Sequence, residues 1–165
     1  MHYVVMGVSG CGKSSVGAAV AARIGASFID GDDLHPQSNI DKMASGQPLN
    51  DHDRAPWLVK VGATLKQADE TTIIGCSSLK RAYRHIIRTT AAGPVQFLFL
   101  DGSREVLLGR MTSRPGHFMP ASLLDSQLAT LERPGADENA HIFDIDQPFN
   151  TLVDTVVTRI QEEPK

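Results

Sequence analysis

Residues 6–15, MGVSGCGKSS, carry a spacing of glycine, lysine and serine that binds nucleotide phosphates. Gly7, Gly12, Lys13 and Ser14 fit the pattern G-x-x-x-x-G-K-[ST] in full. The glycines let backbone N–H groups approach phosphate oxygens, and the helix expected next points its N-terminal dipole at the same anion. The pattern places Lys13 at the β- and γ-phosphates and the Ser14 hydroxyl on Mg²⁺. We predict a nucleotide phosphate site formed by Gly7, Val8, Ser9, Gly10, Cys11, Gly12, Lys13, Ser14 and Ser15.

A cluster of carboxylates follows the second apolar run, in the segment FIDGDDLHP (28–36). Phosphoryl transfer to an alcohol needs one carboxylate near Mg²⁺ and another that orients or deprotonates the hydroxyl. Asp30 and Asp32 are two residues apart and point the same way if the chain stays extended, so we assign them to these roles. Aspartates also cap helices and form turns, and this is the interpretation we favour for Asp33.

Basic residues at two further places suit an anionic ligand. Arg54 falls in the first turn of a predicted helix, where the helix dipole disfavours a cation. Holding a carboxylate or phosphate in its planar fork is one reason for that position, and a surface arginine is an equal alternative. The segment CSSLKRAYR (76–84) places the Ser77 hydroxyl before Lys80 and Arg84, which are one helical turn apart. This arrangement suits an anionic polyhydroxy ligand, although a solvated helix face is the commoner use of such a basic run.

Residues 110–138 interrupt the regular pattern of the chain. They open with Arg, Pro, Gly, His and Pro, and continue as a helix with Leu124, Leu128 and Leu131 in register. We predict a mobile lid over about 114–132 that carries Arg110 and Arg114 to the phosphates and excludes water. The alternative is an ordinary helical hairpin on the surface.

Apolar runs that are typical of buried parallel strands alternate with helical patterns along the chain. The alternation predicts an α/β domain of three layers, with a mainly parallel sheet between two layers of helices. Ligands of such sheets bind beyond the carboxyl ends of the strands, which would bring the phosphate loop, the aspartates and residues 76–78 to one rim. The predicted strands are 2–7, 26–30, 71–76, 95–101 and 141–146, and the predicted helices are 13–24, 36–45, 53–69, 79–90, 103–113, 121–132 and 149–162.

Composition limits the classes of partner. The 165 residues suit one domain, and a net charge of −3 gives no electrostatic case for nucleic acid or membrane as the main partner. Two cysteines make no disulfide framework, and neither a signal peptide nor a membrane-spanning run is expected, so we predict a cytoplasmic protein. No histidine has zinc-ligand spacing, which leaves Mg²⁺ as the one metal implied.

Several of these segments together resemble the gluconate kinase (gluconokinase) family over residues 3–160. The most specific segment is DGDDLHPQSNIDKMASGQPLNDHDRAPWL, joined by MGVSGCGKSS, CSSLKRAYR, GHFMPASLLDSQLATLE and DIDQP. The resemblance implies ATP-dependent phosphorylation of D-gluconate at its terminal hydroxyl, giving 6-phospho-D-gluconate and ADP. It further implies a P-loop kinase fold like that of shikimate and nucleoside monophosphate kinases, with a five-stranded parallel sheet, a helical lid and a homodimeric state.

The resemblance also implies roles for individual residues. Asp30 joins Ser14 on the Mg²⁺ side, and Asp32 takes the substrate hydroxyl. Independently of the resemblance, Trp57 suits either the core or a pocket wall. Contacts to the sugar acid are expected from Arg54, Ser77, Arg84, His117 and Gln127.

Two other functions remain open at this point. Another small-molecule kinase, for shikimate or a nucleoside monophosphate, is disfavoured because shikimate kinases usually carry a glycine triplet where this chain has CSS (76–78). A nucleotide-sensing module without catalysis is disfavoured because Lys13, Ser14, Asp30 and Asp32 are all present.

Overall fold

A five-stranded parallel sheet lies at the centre of the computed structural model, which describes residues 1–112 and 121–162. The strand order is β2-β3-β1-β4-β5, and β1 pairs with β3 on one side and β4 on the other, so that Val4 lies between Ile74 and Phe97. All four neighbouring pairs are parallel, which confirms the predicted sheet. The strands are β1 (His2–Met6), β2 (Ser27–Asp30), β3 (Thr72–Gly75), β4 (Val95–Asp101) and β5 (Ala140–Asp144).

Seven α-helices occur in the described residues, each within two residues of its predicted bounds. The third begins at Asp51 rather than at 53, because Asn50 and Asp53 form a reciprocal capping box. The predicted lid is described only in part: Arg114 and His117 lie outside the described residues. The helices are α1 (Lys13–Ile24), α2 (Gln37–Ala44), α3 (Asp51–Gln67), α4 (Arg81–Ala91), α5 (Arg104–Thr112), α6 (Ala121–Thr130) and α7 (Phe149–Glu162).

Two apolar clusters, one on each face of the sheet, form the core. Val5 and Leu98 pack on the face covered by α1 and α7, whereas Val4 and Phe97 pack on the face covered by α3 and α4. Burial on both faces explains why the strands are continuous apolar runs rather than alternating ones. Within the described part of the chain, no helix is both long enough and apolar enough to cross a membrane.

The chain after β2 does not stay extended, as the assignment of Asp30 and Asp32 had assumed. It turns at once into a 3₁₀ helix, Gly31–Leu34, capped by Asp30, whose Oδ1 accepts a hydrogen bond from the Asp32 N–H at 3.0 Å. A Cβ atom on Gly31 would lie 2.3 Å from the Gly75 carbonyl oxygen, so the turn requires glycine there. The turn still brings both carboxylates to one cavity, described below.

Arg84 is a buried structural cation, and the prediction that it contacts substrate is wrong. Its side chain is fully buried, and its Nε and NH2 groups donate to the Glu138 carboxylate at 2.7 and 3.1 Å. Its NH1 group donates to the Ser78 carbonyl at 2.9 Å, so the guanidinium donors are directed inside the protein rather than to a ligand. The solvated-face alternative also fails for this residue, because its side chain is fully buried against Glu138, 54 positions later in the chain.

The carboxyl of Glu138 stays ionised although its side chain is only 3% exposed. Burial alone would raise its pKa, but hydrogen bonds from Arg84 and the Gly135 N–H, with the Arg84 charge, outweigh burial and lower the pKa to about 2. The ion pair joins α4 to the segment before β5, and its contribution to stability depends on both partners remaining charged.

We expect Glu138→Gln to lower the free energy of unfolding by about 3–5 kcal/mol, because Arg84 is left as a buried, uncompensated charge. Urea denaturation at neutral pH measures this loss. Asp137→Asn, which alters an exposed partner of Arg81, is the matched control and should have little effect.

The same variant has an expected pH signature. Since the pKa of Glu138 in the folded state is below its ordinary value of 4.5, the contribution of this carboxylate is complete above pH 4.5 and is lost as pH falls toward 2. Glu138→Gln should lack that part of the acid dependence. A loss no larger than that of Asp137→Asn, with an unchanged acid profile, contradicts the assignment.

Candidate active site

A cavity of about 560 Å³ opens at the carboxyl ends of β1, β2 and β3. This is the rim where ligands of parallel α/β sheets bind. The cavity brings together most of the residues selected from the sequence, and it adds His35, which was not selected. Its polar lining includes Ser9, Lys13, Ser14, Asp30, Asp32, Arg54, Ser77 and Gln127, and its aromatic lining is His35 and Trp57.

The phosphate loop has the conformation that its glycines permit. Gly7 has φ 147°, and a Cβ atom there would lie 2.9 Å from the Leu100 carbonyl oxygen and 2.8 Å from Cys11 Sγ. Gly12 has φ 91° and forms the N-cap of α1, so the loop leads directly into a helix N-terminus. Cys11 is fully buried beneath the loop, which supports a packing role for it.

Lys13 lies across the loop that it follows. Its Nζ donates to the carbonyl oxygens of Gly7 at 3.0 Å and Val8 at 3.2 Å. These two contacts hold the ammonium group against the phosphate loop. The loop, the lysine and the N-terminus of α1 concentrate positive potential at one end of the cavity.

Ser14 and Asp30 form a pair of oxygen ligands suited to Mg²⁺. The Ser14 Oγ donates to Asp30 Oδ2 at 3.3 Å, and both residues line the cavity beside Lys13. Magnesium prefers one or two hard oxygen ligands from protein, with water and substrate phosphates completing its shell, so these residues fit the ion. In residues 1–112 and 121–162, no cluster of three or more His, Cys, Asp or Glu side chains offers an all-protein metal cage.

Asp32 is the second carboxylate of the cavity, and its pKa differs from that of an ordinary aspartate. Burial and then the nearby Asp30 charge raise the pKa of Asp32, while His35 and Lys13 oppose the rise. A carboxylate with a raised pKa is a better proton acceptor, which is the property that a base toward an alcohol requires.

Arg54, in the first turn of α3, lines the cavity, and its predicted contact with a carboxylate or phosphate stays a prediction. Its NH1 group donates to the Tyr83 hydroxyl at 3.3 Å, and its Cζ lies 5.7 Å from the centre of that ring. The Tyr83 hydroxyl in turn donates to Asp51. These contacts orient the guanidinium while leaving further N–H donors for a ligand.

Gln127 on α6 contacts the phosphate loop directly. Its Oε1 accepts from the Ser9 N–H at 2.7 Å, and its Nε2 donates to Ser9 Oγ at 3.0 Å. Arg110 does not line the cavity: its NH2 group donates to the Ile145 carbonyl oxygen after β5. Its predicted role at the phosphates therefore stays a prediction, as do the roles of Arg114 and His117, which lie outside the described residues.

His35 is a titratable cavity residue that sequence reasoning missed, and its partner Trp57 is both a core residue and a pocket wall. The two rings are stacked with centroids 4.0 Å apart and an interplanar angle of 17°. The Trp57 Nε1–H donates to the Gly31 carbonyl oxygen at 2.8 Å, which ties the stack to the aspartate turn. The available signal for His35 was its position three residues after Asp32, followed by a proline that ends the turn.

These groups match the needs of phosphoryl transfer, in which positioning and charge stabilisation supply most of the catalysis. The phosphate loop has the geometry of an anion site, Ser14 and Asp30 suit a divalent cation, and Asp32 lines the same cavity. Together with the sheet order, they define the chain as a P-loop kinase.

Comparisons with known proteins identify the family. Residues 3–134 match the family model of the AAA domain. The thermosensitive gluconokinase of Escherichia coli K12 is 54% identical over 82% of this chain and 74% of its own length, and the thermoresistant gluconokinase of the same organism is 43% identical over 97% and 93%. The crystal structure of a gluconokinase from Sinorhizobium meliloti 1021 superposes with a TM-score of 0.88 and 48% identity, covering 98% of this chain and 93% of the other. The chain belongs to the gluconokinase family.

Lys13→Ala should lower turnover by two or more orders of magnitude while the protein remains folded. The substitution removes the positive charge that stabilises the negative charge on the transferring phosphoryl group. Steady-state kinetics and circular dichroism measure the two properties. Lys66→Ala, at an exposed position near the end of α3, is the matched control. Near-normal turnover of Lys13→Ala would overturn the phosphate-loop assignment.

Proposed function

We propose that the protein phosphorylates D-gluconate with ATP at the terminal hydroxyl, giving 6-phospho-D-gluconate and ADP. The observation that carries the proposal is the presence of Asp32 and Arg54 in the same cavity as Lys13 and the phosphate loop. A carboxylate that accepts a hydroxyl proton and a guanidinium that pairs with a carboxylate are the groups that a sugar acid requires. The gluconokinase names of relatives up to 54% identical support the same substrate.

In the reaction, the hydroxyl oxygen forms a bond to the γ-phosphorus, and the bond from that phosphorus to the β–γ bridging oxygen breaks. Asp32 accepts a hydrogen bond from the hydroxyl, directs an oxygen lone pair at phosphorus, and takes the proton late in the transfer. Lys13 and the loop N–H groups stabilise the negative charge that accumulates on the phosphate oxygens.

Magnesium, if held by Ser14 and Asp30, supplies further charge neutralisation at the phosphates. The support for this ion is the 3.3 Å contact between the two ligands beside Lys13. Arg54 binds the gluconate carboxylate, the group that distinguishes gluconate from glucose. Gln127, which already joins α6 to Ser9, and Ser77 contribute polar contacts at the edge of the cavity.

We further propose a cytoplasmic homodimer. The two cysteines are free and buried, which is typical of a reducing compartment. The dimeric state rests on the family resemblance, and sedimentation of the purified chain with and without ATP measures it.

A panel of acceptors tests the proposed reaction. ATP consumption should depend on gluconate and be low with glucose, shikimate or AMP, because only gluconate offers both the carboxylate for Arg54 and a flexible terminal hydroxyl for Asp32. Consumption that depends on shikimate or AMP instead assigns the site to another kinase of this fold. Nucleotide binding without transfer to any acceptor assigns it to a sensing module.

Arg54→Ala should raise the KM for gluconate about tenfold to a hundredfold and leave the KM for ATP nearly unchanged, because a charge-assisted contact is lost. Arg54→Lys should recover only part of the loss, since lysine lacks the planar fork. Arg23→Ala, which breaks an exposed ion pair with Asp154, is the control. An unchanged KM for gluconate in Arg54→Ala would mean that other residues hold the carboxylate.

Asp32→Asn should reduce kcat by about 10²- to 10⁴-fold with little change in ATP affinity, because the proton acceptor is lost while the shape is kept. Asp30→Asn should instead raise the Mg²⁺ concentration needed for half-maximal rate. Titration of Mg²⁺ against both variants separates the two roles. Rescue of Asp32→Asn, but not of Asp30→Asn, by excess Mg²⁺ would show that the two carboxylates are assigned the wrong way round.

A further inference from the structure

His35 lies in the cavity beside Asp32, and the mechanism above gives it no role. One face of its ring packs on Trp57, whose own orientation is fixed by the hydrogen bond to the Gly31 carbonyl. The imidazole plane is therefore set by a buried aromatic partner rather than by solvent. A ring held in this way is suited to present one edge to a ligand.

The buried side-chain amide of Asn39 determines which edge the His35 ring presents to a ligand. Asn39 is 3% exposed and lies on α2, one helical turn after His35. Its Nδ2 lies 3.0 Å from the backbone carbonyl oxygen of Asp53, and a carbonyl only accepts hydrogen bonds. The amide atom at that position must therefore be the nitrogen, which fixes the orientation of the side chain.

The second Nδ2 hydrogen of Asn39 is directed at His35 Nδ1, 3.2 Å away. Because Asn39 donates, Nδ1 accepts, and the single proton of a neutral imidazole must sit on Nε2. Burial lowers the pKa of His35, with Arg54 acting in the same direction and Asp32 opposing, so the neutral ring is favoured near pH 7. Nε2 has no hydrogen-bond partner among residues 1–112 and 121–162, and it belongs to a residue that lines the cavity.

We propose that His35 binds the acceptor by donating its Nε2–H to a hydroxyl oxygen of the sugar acid, next to the hydroxyl held by Asp32. Asn39 is a positioning residue that keeps the proton on Nε2. This inference rests on the proposed function of the site. Asp32 accepts and His35 donates, so the two side chains bind neighbouring hydroxyls of a polyol in complementary ways and set the direction in which the chain enters.

A second contact also joins α2 to Asp53, the residue of α3 whose backbone carbonyl accepts from Asn39. Lys42 Nζ pairs with Asp53 Oδ2 at 2.6 Å, one turn beyond Asn39. Asp53 is also part of the capping box that begins α3. The donor to His35 is thereby linked to the helix terminus that also carries Arg54.

A kinetic comparison of two variants tests the donor. His35→Phe keeps a ring for Trp57 but lacks the donor, and it should raise the KM for gluconate about threefold to tenfold with an unchanged KM for ATP. His35→Gln, whose amide nitrogen reaches the position of Nε2, should recover most of the parental KM. His52→Phe, at an exposed position on α3, is the matched control. An unaltered KM for gluconate in His35→Phe, or equal values for the Phe and Gln variants, overturns the proposal.

Nitrogen NMR of the labelled full chain tests the tautomer without any acceptor, so it is independent of the proposed function. The His35 signal, identified by its loss in His35→Phe, should show protonated Nε2 and bare Nδ1. Asn39→Asp, whose carboxylate accepts from Nδ1–H, should reverse the tautomer and raise the KM for gluconate as His35→Phe does. Protonated Nδ1 in the parent chain overturns the proposal whether or not the Asn39→Asp variant folds.

Discussion

The rest of the structure depends on one interaction, the attraction between positively charged groups and the negative charges that are gathered in one cavity. Two aspartates, a nucleotide phosphate chain and a sugar acid all carry negative charge, and the fold itself brings the two aspartates together. Burial and the charge of Asp30 already raise the pKa of Asp32, because both disfavour the ionised form of its carboxyl group. Lys13, the N-terminus of α1 and Arg54 provide the compensating positive charge around the same space.

Two separate parts of the fold position these charged groups, the carboxyl ends of the central strands and the contacts between α2 and α3. The strand order places the carboxyl ends of β1, β2 and β3 side by side, so the loop after β1 and the aspartate turn after β2 lie at the same rim of the sheet. Gly7 N–H donates to the Ser77 carbonyl at 3.2 Å, which joins the loop to the segment after β3. On the acceptor side, Asp53 holds α2 through Asn39 and Lys42, and the Trp57 stack fixes His35.

The local parts of this arrangement were predictable from the sequence because each is encoded by neighbouring residues. The five strands, the phosphate loop and the aspartates at the end of β2 all follow from patterns within short segments. Arg84 could not be interpreted in this way, because a basic run on a helix does not reveal that a buried Glu138 will arrive from a distant loop. The roles of His35 and Asn39 depend on packing against α3, and no spacing within their own segment indicates it.

A crystal structure of the protein with Mg²⁺, a non-hydrolysable ATP analogue and gluconate tests the central claim most directly. The account predicts that the gluconate carboxylate contacts the Arg54 guanidinium, while the terminal hydroxyl lies within hydrogen-bond distance of Asp32 and in line with the γ-phosphorus. Gluconate bound in the opposite direction, with its carboxylate toward Asp32 and its terminal hydroxyl at Arg54, would contradict it.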